Sequence, residues 1–136
     1  MDQKLPPTDD ETFGHLKKAL KSLDSIKAEV VSGSMLPLMR VGEILQVEAI
    51  REELKTFDIV LFRNHQKVLV VHYLWTITFD FRNPKNKLYI TRSLAGGEDF
   101  PIPEAEILGR VTSHRLKWWM KLKIILKVFW SRRVRA

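Results

Sequence analysis

The sequence predicts a mainly β protein: one compact, coiled antiparallel β domain, preceded by a short helix and followed by an amphipathic one. Three observations predict it. The chain has 136 residues and 45% hydrophobic composition, enough for one domain with a single core. Its central part, from Val30 to Val111, carries five β-branched or aromatic runs, "EILQVEAI", "FDIVLFR", "KVLVVHYLWTITF", "KLYITRSL" and "EILGRVTS", each bounded by turn residues. The two flanks place apolar residues at helical spacing instead. The chain therefore divides into an N-terminal helical segment (1–29), the β domain (30–113), and a basic amphipathic helix with its tail (114–136). There is no internal repeat and no low-complexity tract.

In the first segment, Thr8 to Glu11 supply a helix cap, and Phe13, Leu16, Leu20, Leu23 and Ile26 fall near one helical face, which predicts a packing helix. Early acidic residues and the lack of an uninterrupted apolar stretch make it neither a secretory signal nor a membrane span. Within the body, "RNHQ" (63–66) and "RNPKN" (82–86) read as hairpin connections, the second through Asn-Pro. "LAGGEDFPIP" is a longer loop.

The last segment, "LKWWMKLKIILKVFWSRRVRA", behaves differently. At about 100° per residue, Ile125, Trp118, Phe129, Leu122, Leu126, Trp119 and Trp130 share one broad arc, while Lys117, Lys121, Lys123 and Lys127 fall outside it. As a helix, Leu116 to Trp130 would span only about 22 Å and carries four lysines, too short and too charged to cross a bilayer. Tryptophans, lysines and a trailing arginine cluster together suit the headgroup boundary of an anionic membrane. The alternative is that the apolar arc packs on the β domain or on a partner. Positive residues beside such an anchor place it at the cytoplasmic face, as a peripheral protein.

Composition narrows the chemistry. Cysteine is absent, which excludes disulfides, thiolate metal ligands and a cysteine nucleophile. Net charge is +7, yet eight of the 23 basic residues lie from Arg115 onward, where there is no acid. The body is nearly neutral, so nucleic-acid binding by the domain as a whole is disfavoured.

Residues 31–39 read "VSGSMLPLM". Glycine permits a tight turn and proline fixes the backbone just after it, so the serines sit in a shaped loop. Such a loop is either a plain turn or the seat of a nucleophile, and a serine nucleophile needs a base and an oxyanion site. Of His15, His65, His72 and His114, only His72 lies in apolar surroundings, inside "VLVVHYLW". A histidine in a buried strand is commonly a hydrogen-bonded core residue. The alternative base is Lys67, read here as lying on the same strand; its odd separation from His72 directs the two to opposite faces.

The combination resembles the signal peptidases and their relatives, serine endopeptidases that act near membranes. "SGSMLP" (Ser32 to Pro37) matches their nucleophile motif S-G-S-M-x-P at every specified position. "VGEILQV" is similar to their G-D-x-[IV]-x-V strand with Glu43 in place of Asp, "FDIVLF" to the next strand, and "ILGRV" to the closing one. The resemblance covers roughly Val30 to Val111. It implies Ser34 as nucleophile, Ser32 and the Ser34 N–H as oxyanion donors, and His72 as general base, as in the endoplasmic-reticulum and archaeal type, where bacterial relatives use lysine. Tyr73 replaces the arginine that commonly follows. Where relatives carry Gly-Asp, this chain has Ser93-Leu94, and the orienting acid implied is Asp99, with Glu98 as the second choice. Self-cleaving repressors share the implied fold, but with a lysine base and without this motif. No metal or cofactor is implied. The function implied is cleavage of a peptide or preprotein through an acyl-enzyme; the alternative is a non-catalytic peptide-binding module of the same fold held at a membrane.

Overall fold

Short runs of β-branched and aromatic residues, alternating in burial in β2 and buried throughout in β3, set the strands of the protein, which a computed structural model describes over residues 6–135. Helix α1 (Asp10–Leu23) comes first, capped by Asp9, whose Oδ1 accepts a hydrogen bond from the Thr12 N–H at 2.7 Å. Asp24 ends it in the left-handed conformation (φ 65°). Strands β1 (Ser25–Glu29), β2 (Ile44–Glu48), β3 (Ile59–Arg63), β4 (Leu69–Phe79), β5 (Lys87–Arg92), β6 (Ile102–Pro103) and β7 (Ile107–Val111) form one sheet, ordered β1-β2-β7-β3-β4-β5-β6. Every strand pair is antiparallel. Helix α2 (Trp118–Arg135) closes the chain.

The N-terminal segment is corrected in one respect. The helix expected to run to Ile26 stops at Leu23, and Ile26 belongs to β1, paired with Val47. Asp24 supplies the turn, so residues 1–29 are not a purely helical unit and the sheet begins before Val30. Phe13 and Leu20 are buried, as the packing role requires, while Leu23 is exposed.

The core fills both sides of the sheet. One cluster joins Leu20, Met35, Met39, Val47, Tyr73 and Met120; the other joins Val60, Phe62, Leu74, Tyr89 and Ile102. Arg63 fastens α1 to the sheet: its Nε and Nη2 donate to Glu106 at 2.8 and 3.1 Å, and Nη1 donates to the Thr8 carbonyl at 3.0 Å and pairs with Asp10 at 2.9 Å. Its guanidinium also lies 4.4 Å from the Phe13 ring centroid. Replacing Arg63 by alanine leaves Glu106 without this partner and loosens α1; thermal melting is expected to begin at a lower temperature, with amide exchange fastest in residues 10–23.

Candidate functional site

Ser34 enters the site because the chain leaves β1 and turns sharply through "SGS", with the Leu36 N–H donating to the Gly33 carbonyl at 3.1 Å. His72 comes from β4, which carries it next to Tyr73 on the opposite face. Asp99 comes from the loop after β5, its N–H donating to the Thr91 carbonyl at 2.9 Å. The three side chains meet: His72 Nε2 is 3.2 Å from Ser34 Oγ, and His72 Nδ1 is 2.5 Å from Asp99 Oδ2.

An ionised carboxylate only accepts, so the Nδ1 proton belongs on the Asp99 side and Nε2 is left bare to accept from the Ser34 hydroxyl. His72 is 8% exposed, walled by Phe62 in an edge-on contact with ring centroids 6.0 Å apart. Burial pushes the Asp99 carboxyl up, but hydrogen bonds from His72 and Thr91, together with the charge of His72, outweigh it and hold Asp99 below the usual carboxylate value.

Sequence reading missed Thr91. It is 0% exposed, and its hydroxyl donates to Asp99 Oδ2 at 2.7 Å, the same oxygen that faces His72. A threonine inside a strand, eight residues from the acid it serves, gives no spacing signal; only the loop that folds residues 93–99 back brings them together. Thr91→Val removes a stabiliser of the charged carboxylate, so the Asp99 titration moves up. A depressed carboxyl contributes stability above its unfolded value near 3.8, lost as pH falls through the folded value. In Thr91→Val the loss still begins near the unfolded value, but it is smaller and is complete at a higher pH. Carboxyl-resolved NMR titration checks the upward move, and Thr91→Ser restores the original position.

The remaining sequence candidates fall as follows. Ser32 Oγ donates to Ser34 Oγ at 3.3 Å and accepts from the Ser34 N–H at 3.5 Å, so both expected oxyanion donors lie beside the Ser34 hydroxyl, engaged with each other. Glu98 turns to Arg92, 4.0 Å away, rather than to His72. Lys67 is corrected: it lies in the turn before β4, with φ 61°, and its Nζ is 3.6 Å from Asp10. The hairpin turn, not strand parity, separates it from His72. His15 sits beside Glu11, His65 contacts the Pro101 carbonyl, and His114 Nε2 meets Glu43 at 2.8 Å.

Departures from the signal-peptidase pattern have local structural uses. Tyr73 is buried against Phe57, a place where an arginine would lose its water. Ser93 Oγ accepts from the Gly97 N–H at 3.2 Å and closes the turn, Leu94 packs on the core, and the Ala95 N–H donates to the Ser34 carbonyl at 3.1 Å. The loop carrying the acid thus also holds the backbone of Ser34.

Beside Ser34 lies a largely apolar cavity of about 660 Å³, between residues 28–32 and the β3–β4 hairpin, with Val30, Met39, Leu69 and Val71 in its walls. Both sides present strand edges. β1 pairs only with β2, and Leu69 to His72 pair only with β3, because β5 joins β4 from Tyr73 onward. An extended peptide can hydrogen-bond to such edges. Among the described residues, no group of three His, Cys, Asp or Glu side chains is placed to hold a metal ion, and no helix is long and apolar enough to cross a membrane. No family model, curated protein or solved structure matches the chain.

Proposed function

We propose that the protein is a serine endopeptidase of signal-peptidase type, acting on a peptide or preprotein in extended form. The observation that carries the reading is the hydrogen-bonded line Ser34–His72–Asp99 at the mouth of an apolar, edge-lined cavity. The substrate strand lies between residues 28–32 and the start of β4 and presents its carbonyl carbon to Ser34. As Oγ bonds to that carbon, His72 Nε2 takes the hydroxyl proton, and Asp99 steadies the resulting imidazolium through Nδ1–H. The Ser34 N–H and the Ser32 hydroxyl turn from each other to the oxyanion. Collapse breaks the C–N bond, His72 gives its proton to the leaving amine, and a water repeats the sequence to free the acid and Ser34.

The second reading, a peptide-binding module without turnover, uses the same groove; the open strand edges favour it equally, whereas a histidine bonded on both nitrogens to serine and acid favours the enzyme. The basic C-terminal helix supports a peripheral position on the cytoplasmic face of a membrane.

Incubating the protein with a proteome-derived peptide library and mapping new termini by mass spectrometry tests the enzyme. Wild type is expected to generate termini that Ser34→Ala does not. Peptides retained without new termini would establish the binding module instead.

A further inference from the structure

The amphipathic helix was open to two readings, an arc buried on the domain or an arc left free, and α2 decides between them by which face it gives to the sheet. Leu116 is buried just before the helix begins, and within it Met120 is buried and Ile124 packs on the same core, so the contacting side of the helix is a narrow row. The arc named from the sequence points elsewhere. Trp118 is 76% exposed, Trp130 66% and Phe129 63%, and Leu122, Ile125 and Leu126 are exposed with them. This is a contiguous apolar and aromatic surface about 18 Å long on an otherwise folded domain, far more than scattered exposed residues require.

Charge frames that surface. On the helical projection Lys117 and Lys121 border one side of the arc and Lys123 and Lys127 the other, with no acidic residue anywhere from Arg115 onward. Two of the bordering lysines also touch the body: Lys121 Nζ is 5.6 Å from the Phe57 ring centroid, and Lys127 Nζ would be 3.2 Å from a Cβ placed on Gly96. The helix is therefore seated on the body between Met120 and Lys127. The side chains of Arg132, Arg133 and Arg135 lie outside the described residues.

We infer that this face of α2 docks onto the headgroup layer of an anionic bilayer, with the helix lying in the membrane plane and remaining fastened to the sheet by its opposite side. Indoles and aliphatic side chains enter the acyl boundary, and the two lysine rows reach lipid phosphates on either side. Charge complementarity selects this occupant. A nucleic acid would leave the leucines and isoleucine in water, and a second copy of the face would bring its lysine rows against their own like charges.

The contact at Lys127 brings α2 close to the candidate site. Gly96 lies against Lys127, and its neighbour Ala95 holds the Ser34 carbonyl, so the nucleophile loop is one contact removed from the border of the docking face. On the proposed peptidase reading, on which this consequence alone rests, the enzyme works beside the headgroups and takes peptides already held at the bilayer surface.

The test uses full-length Ser34→Ala, so that its outcome is independent of catalysis. The protein is mixed with vesicles of phosphatidylcholine alone or with phosphatidylglycerol added, and binding is followed by cosedimentation, tryptophan emission and quenching by brominated lipids. Binding is expected on the anionic vesicles, with a blue shift and shallow quenching. It weakens by at least about tenfold when Lys123 and Lys127 are both changed to Glu, and similarly at raised salt. Trp118→Ser with Trp130→Ser also weakens it while the thermal melt stays unchanged, because both indoles are exposed. Absence of binding to anionic vesicles, or equal binding to both lipid mixtures, overturns the inference. So does a stable dimer that shields these tryptophans without lipid. Vesicle binding by Ser34→Ala, together with no peptide cleavage by the wild-type protein, would leave the docking intact and defeat only the peptidase reading.

Discussion

His72→Ala is expected to slow acylation of Ser34 by about 10⁴-fold, the scale on which members of such a triad act, while the protein stays folded. The ring is the only histidine among the described residues within hydrogen-bonding distance of a Ser34 oxygen, and no lysine replaces it, because Lys67 sits in the hairpin turn beside Asp10. Without the imidazole, nothing takes the hydroxyl proton as the Oγ–carbon bond forms. Truncation also leaves Asp99 with Thr91 as its remaining side-chain partner and a cavity beside Phe62, so some stability is lost as well. Circular dichroism and the melting temperature separate the two effects, since the rate loss must appear at temperatures where the variant is fully folded. A fall of less than tenfold would remove His72 from the role of base.

The largest effect on stability is expected at Gly109. It lies in β7, in the middle of the sheet, where a Cβ would come within 2.6 Å of the Glu48 carbonyl oxygen and 2.7 Å of Val47 Cγ1, with Leu20 Cδ2 at 2.9 Å. The nearest of these atoms is backbone, held by the pairing of Glu48 with Arg110, and cannot swing aside as a side-chain end can. Gly109→Val must therefore push β2 from β7 and α1 from both. A loss on the order of 3 kcal/mol or more follows from overpacking of this kind, enough to unfold a marginal domain. Urea denaturation checks it. Gly14, with nothing within 4 Å of an added Cβ, is the control: Gly14→Ala inside α1 is expected to stabilise slightly, by about 0.5–1 kcal/mol.

Most of the sheet was legible because strands write themselves into β-branched and aromatic runs, and turns into their own chemistry. The runs around Ile59, His72, Tyr89 and Gly109 each became strands, and the Asn-rich connections became hairpins. β1 was not legible. Ile26 extends the apolar spacing of α1, and only Asp24 in the left-handed conformation breaks the helix before it, a choice stabilised by pairing with β2 some twenty residues on. Such long-range pairing overrides local period. At the site, Ser34 and Ser32 could be named because their motif is local in sequence, and His72 because it is the one histidine inside an apolar run. Asp99 could be named only by its place in the loop, and Thr91 not at all, since both depend on how residues 93–99 fold back over β5. In α2 the periodicity gave the right arc, but not which residues the sheet would take; that depends on Leu116, Met120 and Ile124 meeting the core.

The central claim is an activated serine, and intact-mass analysis with a fluorophosphonate tests it most directly. Wild type is expected to gain the mass of one adduct, localised by peptide mapping to Ser34, while Ser34→Ala gains none and His72→Ala reacts far more slowly. A wild-type protein that gains no mass, or an adduct that persists unchanged in Ser34→Ala, would contradict it.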